Sequence, residues 1–147
     1  SNIKGVFKRM NVTLPPDYIP SQTEDFMNPR MSEYFRQKLA VWRSELVEES
    51  NATLQNLQEG GIVEADIADR ASVETERSLE LRTRDRARKL IAKIDEALGR
   101  IEDGSYGYCE DTMEPIGLSR LEARPIATLS LEAQERHERM ERNYRDD

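Results

Sequence analysis

The sequence is poor in the residues that build catalytic and metal centres. Among its 147 residues it has one cysteine, Cys109, and one histidine, His137. A single cysteine excludes an internal disulfide framework, and a structural zinc ion needs about four Cys or His ligands. One thiol and one imidazole also offer little material for a nucleophile and its base. We therefore predict a protein that is not an enzyme and that acts by binding.

Long apolar runs are missing as well. No segment is apolar enough over enough residues to cross a bilayer. Near the first residue, Ile3, Val6 and Phe7 are interrupted by Lys4 and Lys8, which is not the pattern of a secretory signal. These features predict a cytoplasmic protein that does not contact a membrane.

The sequence also lacks the excess of positive charge with which free-standing DNA-binding proteins neutralise phosphates. Its net charge is −7, with 37% of the residues hydrophobic and 35% charged. A compact globule usually spends more residues on its core. Elongated helical proteins can be this polar because each helix buries only a narrow stripe.

A first long helix is predicted from Asn28 and Pro29, an N-cap residue followed by a residue that suits the first helical position. Its apolar residues recur at the four-three-four spacing of a coiled-coil seam: Phe35, Leu39, Trp42 and Leu46. The stripe thins at Ser50, and the helix should end near Gly60-Gly61.

A second long helix is predicted from Asp66–Asp69 to about Glu102, with Gly104 as its stop. Its closing half is apolar on one face: Ala87, Leu90, Ile94, Leu98 and Ile101. Two such helices joined by a short loop fold back on each other as an antiparallel hairpin. The apolar end would be its base, and the polar end with the loop would be a projecting tip.

Glycines and prolines break the helical pattern after residue 104, and a last helix is predicted from about Ser130 to Tyr144. The fold class is therefore all-α, mainly, in four parts. These are an N-terminal segment that packs on the base (1–30), the hairpin with its tip near residues 60–71 (31–103), a turn-rich segment (104–129) and a C-terminal helix (130–147). The alternative for the N-terminal segment is disorder.

Two charged clusters are candidates for function. The acidic cluster surrounds the loop: Glu59, Glu64, Asp66 and Asp69. It is either a negative tip directed at a cationic site or a set of carboxylates favoured by the helix dipole. The basic cluster follows along the second helix: Arg82, Arg84, Arg86, Arg88, Lys89 and Lys93. It either binds a phosphate-bearing ligand or an acidic partner, or its positive charges pair with the glutamates of the first helix across the hairpin.

Four motifs, in this order, resemble the DksA/TraR family of bacterial transcription factors. They are Asp66–Ala71, Leu79–Arg86, Gly107–Glu110 and Arg120–Pro125, and the resemblance covers about residue 26 to the end. It implies a coiled coil on a globular base with a zinc-finger-like segment. It also implies direct binding to RNA polymerase as a monomer, through the secondary channel and the rim of the largest subunit, without promoter-specific DNA contact. Ribosomal RNA promoters would be repressed together with the alarmone ppGpp, in the stringent response.

The resemblance also assigns roles to single residues. The functional tip would consist of Asp66, Asp69 and Ala71. Arg86 matches a polymerase-binding position, and Leu90, Lys93 and Arg124 match positions of the ppGpp site.

Several positions depart from the family pattern. Its four zinc cysteines fall on Cys109, Thr112, Ser130 and Ala133, which predicts that zinc is absent. A basic position of the alarmone site falls on Gln134, and an Asn that supports that site is replaced by Val63. Two other functions stay open: a helical adaptor that never meets polymerase, and a transcript-cleavage factor of the same channel.

Overall fold

The computed structural model describes residues 12–60 and 67–146, with side chains over 12–56 and 70–145. Four helices lie in these ranges: α1 Pro29–Gly60, α2 Ile67–Asp103, α3 Leu118–Ala123 and α4 Leu131–Asp146. The described residues form no strand, and a bridge between Tyr108 and Pro115 is isolated. The all-α fold class is confirmed.

The start of α1 is fixed by Asn28, as predicted. Its side-chain Oδ1 accepts hydrogen bonds from the backbone N–H groups of Arg30 at 3.0 Å and Met31 at 3.1 Å. These are two of the four donors that a helix N-terminus leaves without an intrahelical partner. Pro29, the first residue of the helix, has no N–H to satisfy.

The end of α2 also lies where the sequence predicts it. Gly104 has a φ of +85°, the left-handed conformation that glycine adopts without a steric penalty. The N–H of Ser105 then donates to the carbonyl of Arg100 at 3.0 Å. This is the 6→1 hydrogen bond of a Schellman motif. α4 begins in the same local way, because Ser130 Oγ accepts from the Ala133 N–H at 3.2 Å.

The described residues divide into two compact units. The first unit comprises the described part of Ser1–Leu39 together with Glu96–Asp147, and the second is Ala40–Asp95. The two units are defined by which residues contact one another. The four-part division at residues 30, 103 and 129 stays a prediction.

The core of the first unit joins residues that are far apart in sequence. Its largest fully buried side chains are Met31, Phe35, Leu39, Leu121 and Cys109. The Tyr106 hydroxyl is buried and donates to the carbonyl of Pro125 at 2.8 Å.

Residues 12–28 pack on the rest of the first unit. The Phe26 ring meets the Tyr108 ring edge-on, with centroids 5.4 Å apart, and Tyr18 meets Tyr34 at 6.1 Å. Residues 12–28 are therefore packed rather than disordered. Residues 1–11 lie outside the described part.

In the second unit, α1 and α2 run antiparallel. Arg43 pairs with Asp95 at 2.7 Å, and one groove is lined by 46–53 of α1 and 83–90 of α2, so rising numbers on one helix meet falling numbers on the other. Leu46, Ala87 and Ile94 are buried. The seam is thin around Ser50, as the sequence predicts.

Candidate binding surfaces

The predicted acidic tip lies mostly outside the described side chains. Asp66 is outside the described residues, and Asp69 is described only by its backbone, in the first turn of α2. Ala71 is exposed on the same helix. Positions 69 and 71 are two residues apart, and positions with that spacing do not share a face of a helix.

The predicted polymerase-binding and alarmone positions on α2 lie close together. Arg86 is exposed, and with the half-buried Leu90 it lines a groove of about 230 Å³ against α1. Lys93 is exposed, seven residues beyond Arg86 and therefore on the same side of the helix. The structure thus brings Arg86, Leu90 and Lys93 to one flank of α2, which we call the Arg86 flank.

The other alarmone position, Arg124, belongs to the first unit, where it is exposed and follows the last residue of α3. Its N–H donates to the carbonyl of Arg120 at 2.7 Å. Gln134, which replaces a basic residue, is half-buried and donates from Nε2 to Glu138 at 3.2 Å. Val63 lies outside the described residues.

Within the described side chains, the ion pairs of the basic cluster are made inside α2. Arg88 and Lys89 instead contact Asp85 on their own helix, at 2.6 Å and 3.2 Å. The hydrogen bond from Lys89, followed by that from Arg88, lowers the pKa of Asp85. Among the described side chains, no member of the cluster forms an ion pair with a carboxylate of α1, although Glu49 lines the same groove as Arg84 and Arg86.

A second groove on α2 was missed by the sequence analysis. It has a volume of about 450 Å³ and is lined by Ser50, Leu81, Arg84, Asp85, Arg88 and Ile91. Leu81 is 52% exposed. Four of its α2 residues, at 81, 84, 88 and 91, are spaced three, four and three apart, which is the sequence signal that they share one side of the helix. Arg84 also lines the groove at Arg86 and Leu90.

Of the four positions that the resemblance aligns with zinc cysteines, Thr112 and Ser130 lie within hydrogen-bond reach of the thiol of a third, Cys109. Cys109 is fully buried, and so is Ala133. Burial raises the pKa of the thiol, but hydrogen bonds from the Ser130 amide, the Thr112 hydroxyl and amide and the Asp111 amide outweigh burial and lower it to about 6. Thr112 and Ser130 therefore act as donors to the sulfur.

The turn that carries these groups is closed by backbone hydrogen bonds. The Cys109 N–H donates to the Glu114 carbonyl at 2.8 Å, and the Met113 N–H donates to the Cys109 carbonyl at 2.8 Å. His137 of α4 contacts Asp111 at 2.8 Å. No group of three or more His, Cys, Asp or Glu side chains that could hold a metal ion occurs in the described residues.

Comparisons with known proteins agree with these features. Residues 31–101 match the family described as "DnaK suppressor protein DksA, N-terminal domain", and residues 104–139 match "Prokaryotic dksA/traR C4-type zinc finger". The chain is 66% identical over 131 residues to the RNA polymerase-binding transcription factor DksA of Caulobacter vibrioides (strain NA1000 / CB15N), covering 89% of this chain and 92% of the relative.

More distant relatives are similar over most of their length. Identity to the RNA polymerase-binding transcription factor DksA of Escherichia coli K12 is 45% over 109 residues, or 74% of this chain and 72% of the relative. The solved structure of transcription factor DksA2 from Pseudomonas aeruginosa matches with a TM-score of 0.75 and 43% identity, covering 82% of this chain and 94% of that one. No described helix is long and apolar enough to span a membrane.

The zinc that a C4-type finger implies does not fit the residues of this chain. Thiolates are the zinc ligands of such a site, and here only Cys109 offers one. The Ser130 hydroxyl is engaged as the N-cap of α4, and Ala133 presents a buried methyl group. With two family models that match residues 31–101 and 104–139 and a relative that is 66% identical, the chain belongs to the DksA family.

Proposed function

We propose that the protein binds bacterial RNA polymerase through the Arg86 flank and modulates transcription initiation from the secondary channel, without reading promoter sequence. The observation that supports this most is the grouping of Arg86, Leu90 and Lys93 on one flank of α2. Curated relatives up to 66% identical are named RNA polymerase-binding transcription factors. The basic side chains would meet carboxylates at the rim of the channel.

The tip would act by charge. Asp66 and Asp69 would enter a narrow channel with low-dielectric walls, where charges interact more strongly than in water. They would compete for cationic groups near the catalytic region and disfavour the open promoter complex. A shift of about 1.4 kcal/mol changes that equilibrium tenfold, so short-lived complexes such as those at ribosomal RNA promoters would be affected most. Asp69→Asn keeps the shape of the side chain and removes one charge, and it should lose most of the repression.

The alarmone ppGpp would bind where the protein meets polymerase, with Leu90, Lys93 and Arg124 on the protein side. A guanidinium and an ammonium are the groups that bind phosphates. Because Gln134 carries no charge, the alarmone site would have one cation fewer than the family pattern. We place this activity in the cytoplasm and assign it to a monomer.

The finger-like turn would fold without zinc. Its sulfur receives hydrogen bonds from backbone amides and Thr112, and the buried side chains around it supply the packing. A chelator should therefore leave the thermal unfolding temperature unchanged, and elemental analysis should find less than one zinc per chain. A fall in the unfolding temperature on chelation, reversed by added zinc, would contradict this part of the proposal.

The deciding experiment is transcription in vitro from a ribosomal RNA promoter with cognate polymerase, with and without ppGpp. Wild type should repress, and ppGpp should deepen the repression. Arg86→Glu should abolish it, while Arg30→Glu, an equal charge change at an exposed site at the start of α1, should not. Repression without any effect of ppGpp would remove the alarmone residues from the proposal. No repression and no binding to polymerase would refute it.

A further inference from the structure

Arg124, the alarmone position in the first unit, follows a helix that is too short to be stable by itself. α3 has six residues, Leu118–Ala123, and isolated helices of fewer than about 12 residues are marginal in water. Arg124 is exposed, and its backbone leaves the helix with a φ of −143° and a ψ of 84°. The direction of its side chain therefore depends on what fixes the end of α3.

Lys38 of α1 binds that end. Its ammonium donates to the Glu122 carboxylate at 2.6 Å and to the Glu122 backbone carbonyl at 3.1 Å. This carbonyl belongs to the last turn of α3, and the last carbonyls of a helix have no partner within the helix. Glu122 lies two residues before Arg124, so one side chain of α1 binds both the side chain and the backbone of the segment that carries Arg124.

Tyr34, one turn before Lys38 on α1, supports the same contact. Its hydroxyl donates to the Glu122 carboxylate at 3.0 Å, and the Lys38 ammonium lies 5.9 Å from the centroid of its ring, within the range of a cation–π attraction. Burial, followed by the hydrogen bond with Glu122, raises the pKa of Tyr34 to about 12, so the hydroxyl remains a donor at neutral pH. We call these three residues the Lys38 latch.

The latch is more specific in its geometry than in its contribution to stability. The side chains of Lys38 and Glu122 are 36% and 33% exposed, and exposed ion pairs stabilise a fold only weakly. The buried Leu121 attaches α3 to the core, but apolar burial is non-directional. Three hydrogen bonds that converge on Glu122 fix an orientation, because their strength depends on angle as well as distance.

We infer that Lys38 is a positioning residue of the alarmone site. It holds the end of α3 so that the guanidinium of Arg124 is directed at the phosphates of ppGpp, where a charge-assisted hydrogen bond depends on its geometry. Lys38 itself does not contact the ligand. This inference rests on the proposed function and adds to it a residue to which the family resemblance gives no role.

The test is transcription in vitro from a ribosomal RNA promoter with the full chain and cognate polymerase, at increasing concentrations of ppGpp. Repression is expressed relative to that of the same variant without ppGpp, so a general loss of polymerase binding does not enter the comparison. Lys38→Met keeps the length of the side chain and removes the donors, and it should raise the half-maximal ppGpp concentration at least about threefold. Lys38→Arg keeps the charge and the donors and should restore most of the response.

Arg36→Met is the matched control. Arg36 also lies on α1, with 35% of its side chain exposed, and it pairs with a carboxylate at 2.6 Å, but that carboxylate belongs to Glu33 of the same helix. Its replacement should leave the half-maximal ppGpp concentration unchanged. An equal shift in Arg36→Met and Lys38→Met would show a general effect of lost stability and would overturn the inference.

Amide hydrogen exchange of the free chain gives a readout that needs no ppGpp. The Arg124 and Ala127 amides donate to the carbonyls of Arg120 and Arg124 at 2.7 Å and 3.0 Å. Both amides should exchange faster in Lys38→Met than in Arg36→Met, since the latch protects the end of α3 from local opening. Equal exchange in the two variants contradicts the inference.

The outcomes separate this inference from the proposed function. If wild type responds to ppGpp and Lys38→Met responds at the same concentration, the positioning role is refuted and the proposed function stands. If wild type represses but does not respond to ppGpp, the alarmone residues leave the proposed function and the role of Lys38 falls with them.

Discussion

Replacing Gly107 by alanine tests whether the N-terminal segment packs on the finger-like turn. Gly107 is buried with a φ of +91°. A Cβ atom added there would lie 3.2 Å from the Cγ and Cε atoms of Met27 and 3.2 Å from Cε2 of Phe26. Phe26 in turn packs edge-on against Tyr108. The substitution therefore combines backbone strain with a steric conflict at one contact.

The two costs can be separated by a second glycine. A left-handed conformation costs an L-residue about 1–2 kcal/mol, and alanine recovers about 0.4–1 kcal/mol by restricting the unfolded chain, so strain alone leaves about 1 kcal/mol. Gly104 has a φ of +85° and nothing within 4 Å of an added Cβ, so Gly104→Ala should cost only that amount. Crowding of a packed site adds about 1–3 kcal/mol. Gly107→Ala should thus cost about 2–4 kcal/mol.

Urea unfolding followed by circular dichroism gives the free energies of unfolding. Gly99→Ala is the reference for the substitution itself, because Gly99 lies inside α2 with nothing within 4 Å, and alanine should stabilise a helix there by about 0.5–1 kcal/mol. The reasoning is refuted if Gly107→Ala costs no more than Gly104→Ala. In that case residues 26 and 27 would not pack on the turn in solution.

Substitutions at three further positions test local interactions of the first unit. Asn28→Ala should lower the free energy of unfolding by about 1 kcal/mol through loss of the helix cap, and Asn28→Ser should recover most of it. The Ser21 amide, followed by the Tyr18 hydroxyl, lowers the pKa of Glu24 below its usual 4.5. That carboxylate therefore stabilises the fold above pH 4.5 and loses its contribution as the pH falls through the lowered pKa, so the stability difference between wild type and Glu24→Gln should close in acid; a pH-independent difference would contradict this. Met113 is 71% exposed with a φ of +63°, and Met113→Gly should raise stability by about 0.5 kcal/mol in the same urea assay; a loss would show that the methionine makes a contact.

The helix boundaries could be predicted because their signals are local. Asn28 caps α1 with atoms two and three residues away, and Gly104 ends α2 through a bond between Ser105 and Arg100. Such signals act within one turn of chain and can be seen in a single sequence. The seam spacing of Phe35 and Leu39 is also a local signal, and both side chains are fully buried.

The first unit also depends on contacts that no local pattern shows. Glu122 accepts hydrogen bonds from the Tyr34 hydroxyl at 3.0 Å and from Lys38 at 2.6 Å, across 88 and 84 residues of chain. The Glu110 N–H reaches the Thr128 carbonyl at 2.9 Å. Periodicity and turn propensity carry no information about such pairs, because neither partner is unusual in its own segment. The groove lined by Ser50, Leu81 and Ile91 was missed for another reason: which residues of α1 and α2 line a groove together depends on how the two helices pack.

The finger-like turn shows how a site with one thiol can favour the thiolate form through hydrogen bonds. A zinc ion stabilises the thiolate form of its cysteine ligands. In this chain the Ser130, Thr112 and Asp111 amides favour the same form of Cys109 and lower its pKa from 9.0 to about 6. An acid whose pKa is lower in the folded state adds stability that is complete above its unfolded pKa and is lost as the pH falls through the folded value. The contribution of Cys109 is therefore present above pH 9, declines between pH 9 and pH 6, and is gone in acid. The proton concentration therefore sets part of the stability of the turn.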